Sequence, residues 1–181
     1  MNAASNAVPI NRPTIRAADF HQAVALAGIS LSKKALDDRQ KTTLVTVAAR
    51  SMFRQLEHLG MDLEVYNNAK QITEAVVGLV ETHKSLSDLF SSLSRFSDTI
   101  LSHSVAVSSL SVLIGGAMGF EKKATLEKLA MGGLLHDIGL KAIPKELSEK
   151  PLASMTAEEI QLFETHSFKG QQMLAGLGIV P

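Results

Sequence analysis

The sequence has no cysteine, no tryptophan and a single tyrosine, and no excess of either charge, with 18 acidic and 18 basic side chains among 181 residues. Without cysteine, disulfides and zinc-thiolate sites are excluded, so any bound metal must rest on histidine and carboxylate ligands. Zero net charge without a basic block gives no electrostatic basis for holding a nucleic-acid polymer, although a small anionic ligand needs only a local positive site. The scarcity of aromatics and of alternating β-branched runs argues against a sheet. With 45% hydrophobic residues, the chain is long enough for one or two compact domains, expected in the cytoplasm.

Residues 1–14 read as a flexible tail, since they lack the basic start and apolar core of a secretory signal. Residues 99–120 contain no Asp, Glu, Lys or Arg, a length sufficient to span a bilayer. Five serines, three glycines and His103 make that run only moderately hydrophobic, so a central buried helix is expected and no membrane association. No internal repeat or low-complexity tract appears.

Helical periodicity dominates, and the expected fold is all-α. Ser32 is a candidate cap for a helix carrying Leu36, Leu44, Val47, Ala48 and Leu56, which should stop at Gly60. A second helix should carry Ile72, Ala75, Val76, Leu79, Val80 and His83 on one stripe. Leu126, Leu129, Ala130, Gly133 and Leu134 define another, with Gly132-Gly133 admitting a close backbone neighbour. Thr156-Ala-Glu-Glu159 is a capping box for a helix through Ile160 and Phe163 that carries His166, interrupted from Ser167 to Gly170. A boundary near Ser85 divides an N-terminal helical region, residues 15–85, with a regulatory or dimerising role, from a second domain, residues 86–181.

The chemistry concentrates at His136-Asp137. An imidazole nitrogen and a carboxylate oxygen suit borderline divalent metals, and a carboxylate can bridge two ions. The alternative for the dipeptide is structural, with His136 capping a helix C-terminus and Asp137 starting a turn with Gly139. His103 and His166 lie on other helices, each about thirty residues away, a separation compatible with convergence in a bundle but not requiring it. His21, His58 and His83 have no carboxylate at metal spacing, and Lys33-Lys34 with Asp37-Asp38 reads as a solvated face of mixed charge.

The segments Leu101-Ser-His103-Ser-Val-Ala-Val-Ser108 and Leu129-Ala-Met-Gly-Gly-Leu-Leu-His136-Asp137-Ile-Gly139 resemble the HD superfamily of metal-dependent phosphohydrolases. The ordered series Ile143-Pro144, Glu149-Lys150-Pro151, Met155-Thr156-Ala-Glu-Glu159, Thr165-His166 and Gly170 further resembles the HD-GYP family of cyclic di-GMP phosphodiesterases. The resemblance implies an HD-type helical bundle that uses divalent ions, iron or manganese, to activate water against a phosphodiester. It further implies that His103, His136, Asp137 and His166 are metal ligands, with Asp137 bridging two ions and central to catalysis.

The sequence also departs from that family. Leu140 stands where a lysine usually follows the His-Asp-Ile-Gly run, leaving Lys141, one position on, as the candidate contact to substrate phosphate. On a helix that shift turns a side chain by about a quarter of the circle. Thr99 stands where some members have a glutamate for a third ion, so two ions are expected. The chain reaches Pro181 before the paired histidines, final aspartate and Gly-Tyr-Pro signature, so it is expected to carry only the first part of the catalytic domain. Two classes of function follow: a metal-dependent hydrolase of cyclic di-GMP or a related cyclic dinucleotide, or a non-catalytic module using the bundle to bind nucleotide or protein. A second copy or a regulatory protein is the expected macromolecular partner.

Overall fold

In a computed structural model of the chain, the described residues are 37–82, 91 and 99–178, and they are helical without a strand. The all-α expectation holds. Helix α1 spans Asp38–Leu59, α2 Leu63–Thr82, α3 Thr99–Ala117 and α4 Lys123–Leu135. A 3-10 segment at Ile138–Ala142 leads to the short α5, Lys145–Ser148, and a second 3-10 turn at Leu152–Ser154 precedes α6, Ala157–Glu164, and α7, His166–Ala175.

Each boundary has a local cause. Helix α1 begins at a capping box in which the Asp37 carboxylate accepts from the Gln40 backbone N–H at 2.7 Å and the Gln40 side chain accepts from the Asp37 N–H at 3.0 Å. These satisfy donors that have no partner inside a first helical turn. Ser32, the candidate cap, lies outside the described residues, as do Leu36, His83 and the boundary near Ser85. Gly60 ends α1 with φ of 79°, a region in which a Cβ is strained. The predicted box at Thr156 and Glu159 is present on α6.

Glu159 also accepts from Lys150 Nζ at 2.6 Å. That bond, then the Thr156 backbone N–H, holds its carboxyl below the usual carboxylate range. Because its folded value is lowered, the stability it contributes is present above the ordinary carboxylate range and is lost as pH falls through the lowered value. Lys150→Met is therefore expected to begin acid unfolding at higher pH than the wild type, as followed by circular dichroism.

Helices α1 to α4 share one core. Val45, Ala48, Ala49, Met52, Phe53 and Leu56 of α1 meet Val65, Ala69, Ile72, Val76 and Leu79 of α2, and both adjoin Val105 and Val112 of α3 and Leu126, Ala130 and Leu134 of α4. Val47, assigned to the apolar stripe of α1, is instead 43% exposed. The buried positions advance by alternating steps of three and one, and residue 47 falls outside that arc.

The charge-free helix α3 packs against α1, α2 and α4. Two of its serines enter the interior with their hydroxyls satisfied: Ser109 donates to the Val105 carbonyl at 2.9 Å, and Ser108 crosses to the Ala130 carbonyl of α4 at 2.8 Å. Such bonds allow a serine-rich helix to be buried at little polar cost. Among the described residues, no helix is long and apolar enough to cross a membrane.

Ser108 also marks the tightest approach of α3 to α4. A Cβ on Gly133 would lie 2.7 Å from the Ser108 Cα and backbone N, whereas one on Gly132 would meet nothing within 4 Å. The close approach expected of the glycine pair thus belongs to Gly133 alone. Gly133→Ala is expected to destabilise the fold by about 2–3 kcal/mol through overpacking. Gly132→Ala should instead stabilise it by about 0.5–1 kcal/mol through helix propensity. Thermal unfolding of the two variants checks this opposition of sign.

Candidate metal centre

Helix α4 ends with His136 as its C-cap, and Asp137 opens the 3-10 segment that follows. The periodicity that ends at Leu134 therefore delivers the dipeptide to the end of a packed helix, as the sequence predicts. The His136 Nδ1–H donates to the Gly133 carbonyl at 2.9 Å. This is the helix-capping role anticipated as the structural alternative, and it accounts for one ring nitrogen only. Asp137 makes no side-chain capping bond, so its carboxylate is not used to start the turn.

Three histidines converge on that carboxylate. His136 Nε2 lies 3.0 Å and His103 Nε2 3.7 Å from Asp137 Oδ2, while His166 Nε2 lies 3.5 Å from Oδ1. His103 Nε2 and His136 Nε2 are 3.2 Å apart. His103 comes from the N-terminal part of α3, and His166 from the first position of α7.

The sequence places His166 at the end of one helix, followed by an interruption at Ser167 to Gly170. The structure differs: the break falls at Thr165, and residues 167–170 are helical within α7. Gly170 is retained inside a helix because its neighbour leaves little room. A Cβ there would sit 3.1 Å from Ile138 Cγ2 and 3.3 Å from the Gly139 backbone N. At Gly139 the approach is closer still, for a Cβ would come within 1.8 Å of the His166 carbonyl oxygen. Gly139 has no positive φ, so close backbone approach, and not turn conformation, requires glycine here.

A second bond orients His166 as the first orients His136. Its Nδ1–H donates to the Phe163 carbonyl at 2.7 Å. A carbonyl oxygen only accepts, so in both residues the proton must sit on Nδ1, and a neutral ring then presents an acceptor lone pair at Nε2, which in His166 also lies 3.3 Å from the Ser167 hydroxyl. Those lone pairs face carboxylate oxygens, which are also acceptors. Acceptor against acceptor at such distances is repulsive unless positive charge lies between them. A proton on each ring or a cation would supply it, and nitrogen with carboxylate oxygen is the donor set preferred by borderline divalent ions. His103, His136 and Asp137 have ligand atoms all within 4.8 Å of one another, close enough to hold one ion.

The cluster opens on two clefts. One of about 650 Å³ is lined by Asp137, Ser104, Leu140 and Lys141, together with Glu57 and Gly60 from the end of α1. The other, about 620 Å³, is lined by His136 together with Tyr66, Met131, Leu135 and Gln171. Lys141, one position after Leu140, reaches the cleft of Asp137. There its ammonium is paired with the Glu57 carboxylate. Neither Glu57 nor Ser104 is singled out by sequence pattern. Only their approach through the fold reveals them.

The family model described as HD domain matches residues 84–179, more than half of the chain. The chain belongs to the HD domain family. HD domains are typical of metal-dependent phosphohydrolases and bind divalent metals, and a His/Asp cluster of His103, His136 and Asp137 lies within the matched residues. No curated protein and no solved structure gives a significant match. The match begins beyond α1 and α2, so Glu57 and Tyr66 reach the HD-domain clefts from outside the matched segment.

Proposed function

We propose that His103, His136, Asp137 and His166 hold divalent metal for phosphodiester hydrolysis, with cyclic di-GMP or a related cyclic dinucleotide as substrate. One observation carries the metal reading: the two oxygens of Asp137 face separate nitrogens. Oδ2 is turned to His103 and His136, and Oδ1 to His166. That division suits a carboxylate shared between two ions. Iron or manganese is compatible with this donor set. When bound, divalent ions lower the pKa of a coordinated water and withdraw charge from phosphoryl oxygens.

The chain's own residues supply position. The Gly133 and Phe163 carbonyls fix the tautomers of His136 and His166, so their Nε2 lone pairs are aimed before any ligand arrives. Such outer partners are worth about 10–100-fold in metal affinity. Lys141 places a cation at the cleft beside Asp137, where it serves as the contact to a substrate phosphate. The ordered series from Ile143-Pro144 to Gly170 supports the cyclic dinucleotide as substrate, by resemblance to the HD-GYP family.

The test is incubation of manganese- or iron-loaded protein with cyclic di-GMP, followed by chromatography for the linear dinucleotide. Product formation by the wild type and its loss in His136→Ala are the expected results. Leu140 in place of the usual lysine, and the engagement of Lys141 by Glu57, favour a second reading as a nucleotide-binding module. Cyclic di-GMP binding without product would select that reading.

A further inference from the structure

Glu57 is the last acidic residue of α1 and lies outside the family match, yet its carboxylate engages Lys141, the cation nearest the His-Asp dipeptide in sequence. Both line the cleft that contains Asp137. The other lysine of this cleft, Lys145, stands 3.7 Å from Glu149. Each cleft lysine therefore has a carboxylate partner, and Asp137 adds a further negative charge. As folded, the cleft's side chains oppose an incoming anion even though it contains two lysines.

We propose that Glu57 is a specificity-determining residue of this cleft: its carboxylate competes with ligand phosphate for Lys141, so that a phosphate group binds only by displacing it. The inference rests on Lys141 being the phosphate contact of the proposed function. Physically, Glu57 and a phosphate are alternative anionic partners for one ammonium. The pair is half-exposed, with Lys141 30% and Glu57 46% accessible, which keeps the exchange inexpensive because solvent-exposed ion pairs are weak. A ligand bearing two charges on phosphate should compete better than one bearing a single charge. The contact also couples the N-terminal helices to the HD domain, since moving the end of α1 would release Lys141 without altering a metal ligand.

Binding of inorganic phosphate to metal-free protein, followed by phosphorus NMR titration, tests the exchange separately from metal chemistry. Glu57→Gln preserves side-chain shape and should tighten phosphate binding by about three- to tenfold, the scale of losing one exposed ion-pair competitor and its repulsion. Lys141→Met should weaken binding, and in the double variant the gain from Glu57→Gln should vanish. If Lys141→Met weakens binding but Glu57→Gln does not tighten it, the competition is overturned while Lys141 remains a phosphate contact. If Glu57→Gln tightens binding equally with and without Lys141, it acts by general repulsion, and the proposal also fails. If Lys141→Met changes nothing, the phosphate role of Lys141 fails with it. Circular dichroism melts of each variant confirm that the folded proteins are compared.

Discussion

Asp137→Ala is expected to lower divalent metal affinity by more than about 100-fold, because even the partners that merely orient a metal ligand are worth about 10–100-fold. Among the described residues, Asp137 is the one approached by His103, His136 and His166 together, at 3.0 to 3.7 Å. Its removal deprives both halves of the cluster of an oxygen. Any phosphodiester hydrolysis should fall with metal affinity. The fold should survive, since the Asp137 side chain makes no capping bond and is 20% exposed. Isothermal titration with manganese, paired with a thermal melt, separates loss of the site from loss of the fold. Unchanged affinity in a folded variant would remove Asp137 from the centre.

The second large effect is expected away from the ligands themselves. Gly139→Ala would bring a methyl group within 1.8 Å of the His166 carbonyl oxygen and 2.5 Å of the Gly170 backbone N. Backbone atoms cannot yield as the end of a flexible side chain does, so α7 must move off the 3-10 segment. The expected cost is roughly 3 kcal/mol or more, at the upper end of overpacking effects. Because His166 starts α7, its Nε2 should leave Asp137 Oδ1 in the same movement. Gly170→Ala meets Ile138 Cγ2 at 3.1 Å and should be milder, since that methyl can shift. Thermal unfolding and manganese titration of both variants should rank Gly139→Ala as the more damaging in each. Equal stability of the two would contradict the proposed backbone contact.

Much of this arrangement was readable before folding, and the residues show why the remainder was not. The periodicity through Leu126, Ala130 and Leu134 locates His136 and Asp137 at a helix end, because local pattern decides where a helix stops. Ile72, Val76 and Leu79 mark the buried face of α2 for the same reason. Spacing cannot bring His103 and His166 to Asp137, since convergence depends on how helices cross. That inference came from resemblance alone. Glycine is poor inside helices, so sequence alone points to a break at Gly170, but tertiary contact with Gly139 overrides that preference. Likewise, sequence cannot separate Gly132 from Gly133, which differ only in which one faces Ser108. Glu57 carried no signal because its partner, Lys141, lies 84 positions along the chain.

The imidazoles of His103, His136 and His166 and the carboxylate of Asp137 are proposed to form a divalent metal centre. Electron spin-echo spectroscopy of manganese-loaded protein tests it most directly, because modulation by imidazole nitrogen reports histidine bound to the ion. At least one tightly bound manganese per chain with nitrogen modulation is expected, lost in Asp137→Ala and reduced in His136→Ala. Manganese that shows no nitrogen modulation, or binding that persists undiminished in Asp137→Ala, would contradict it.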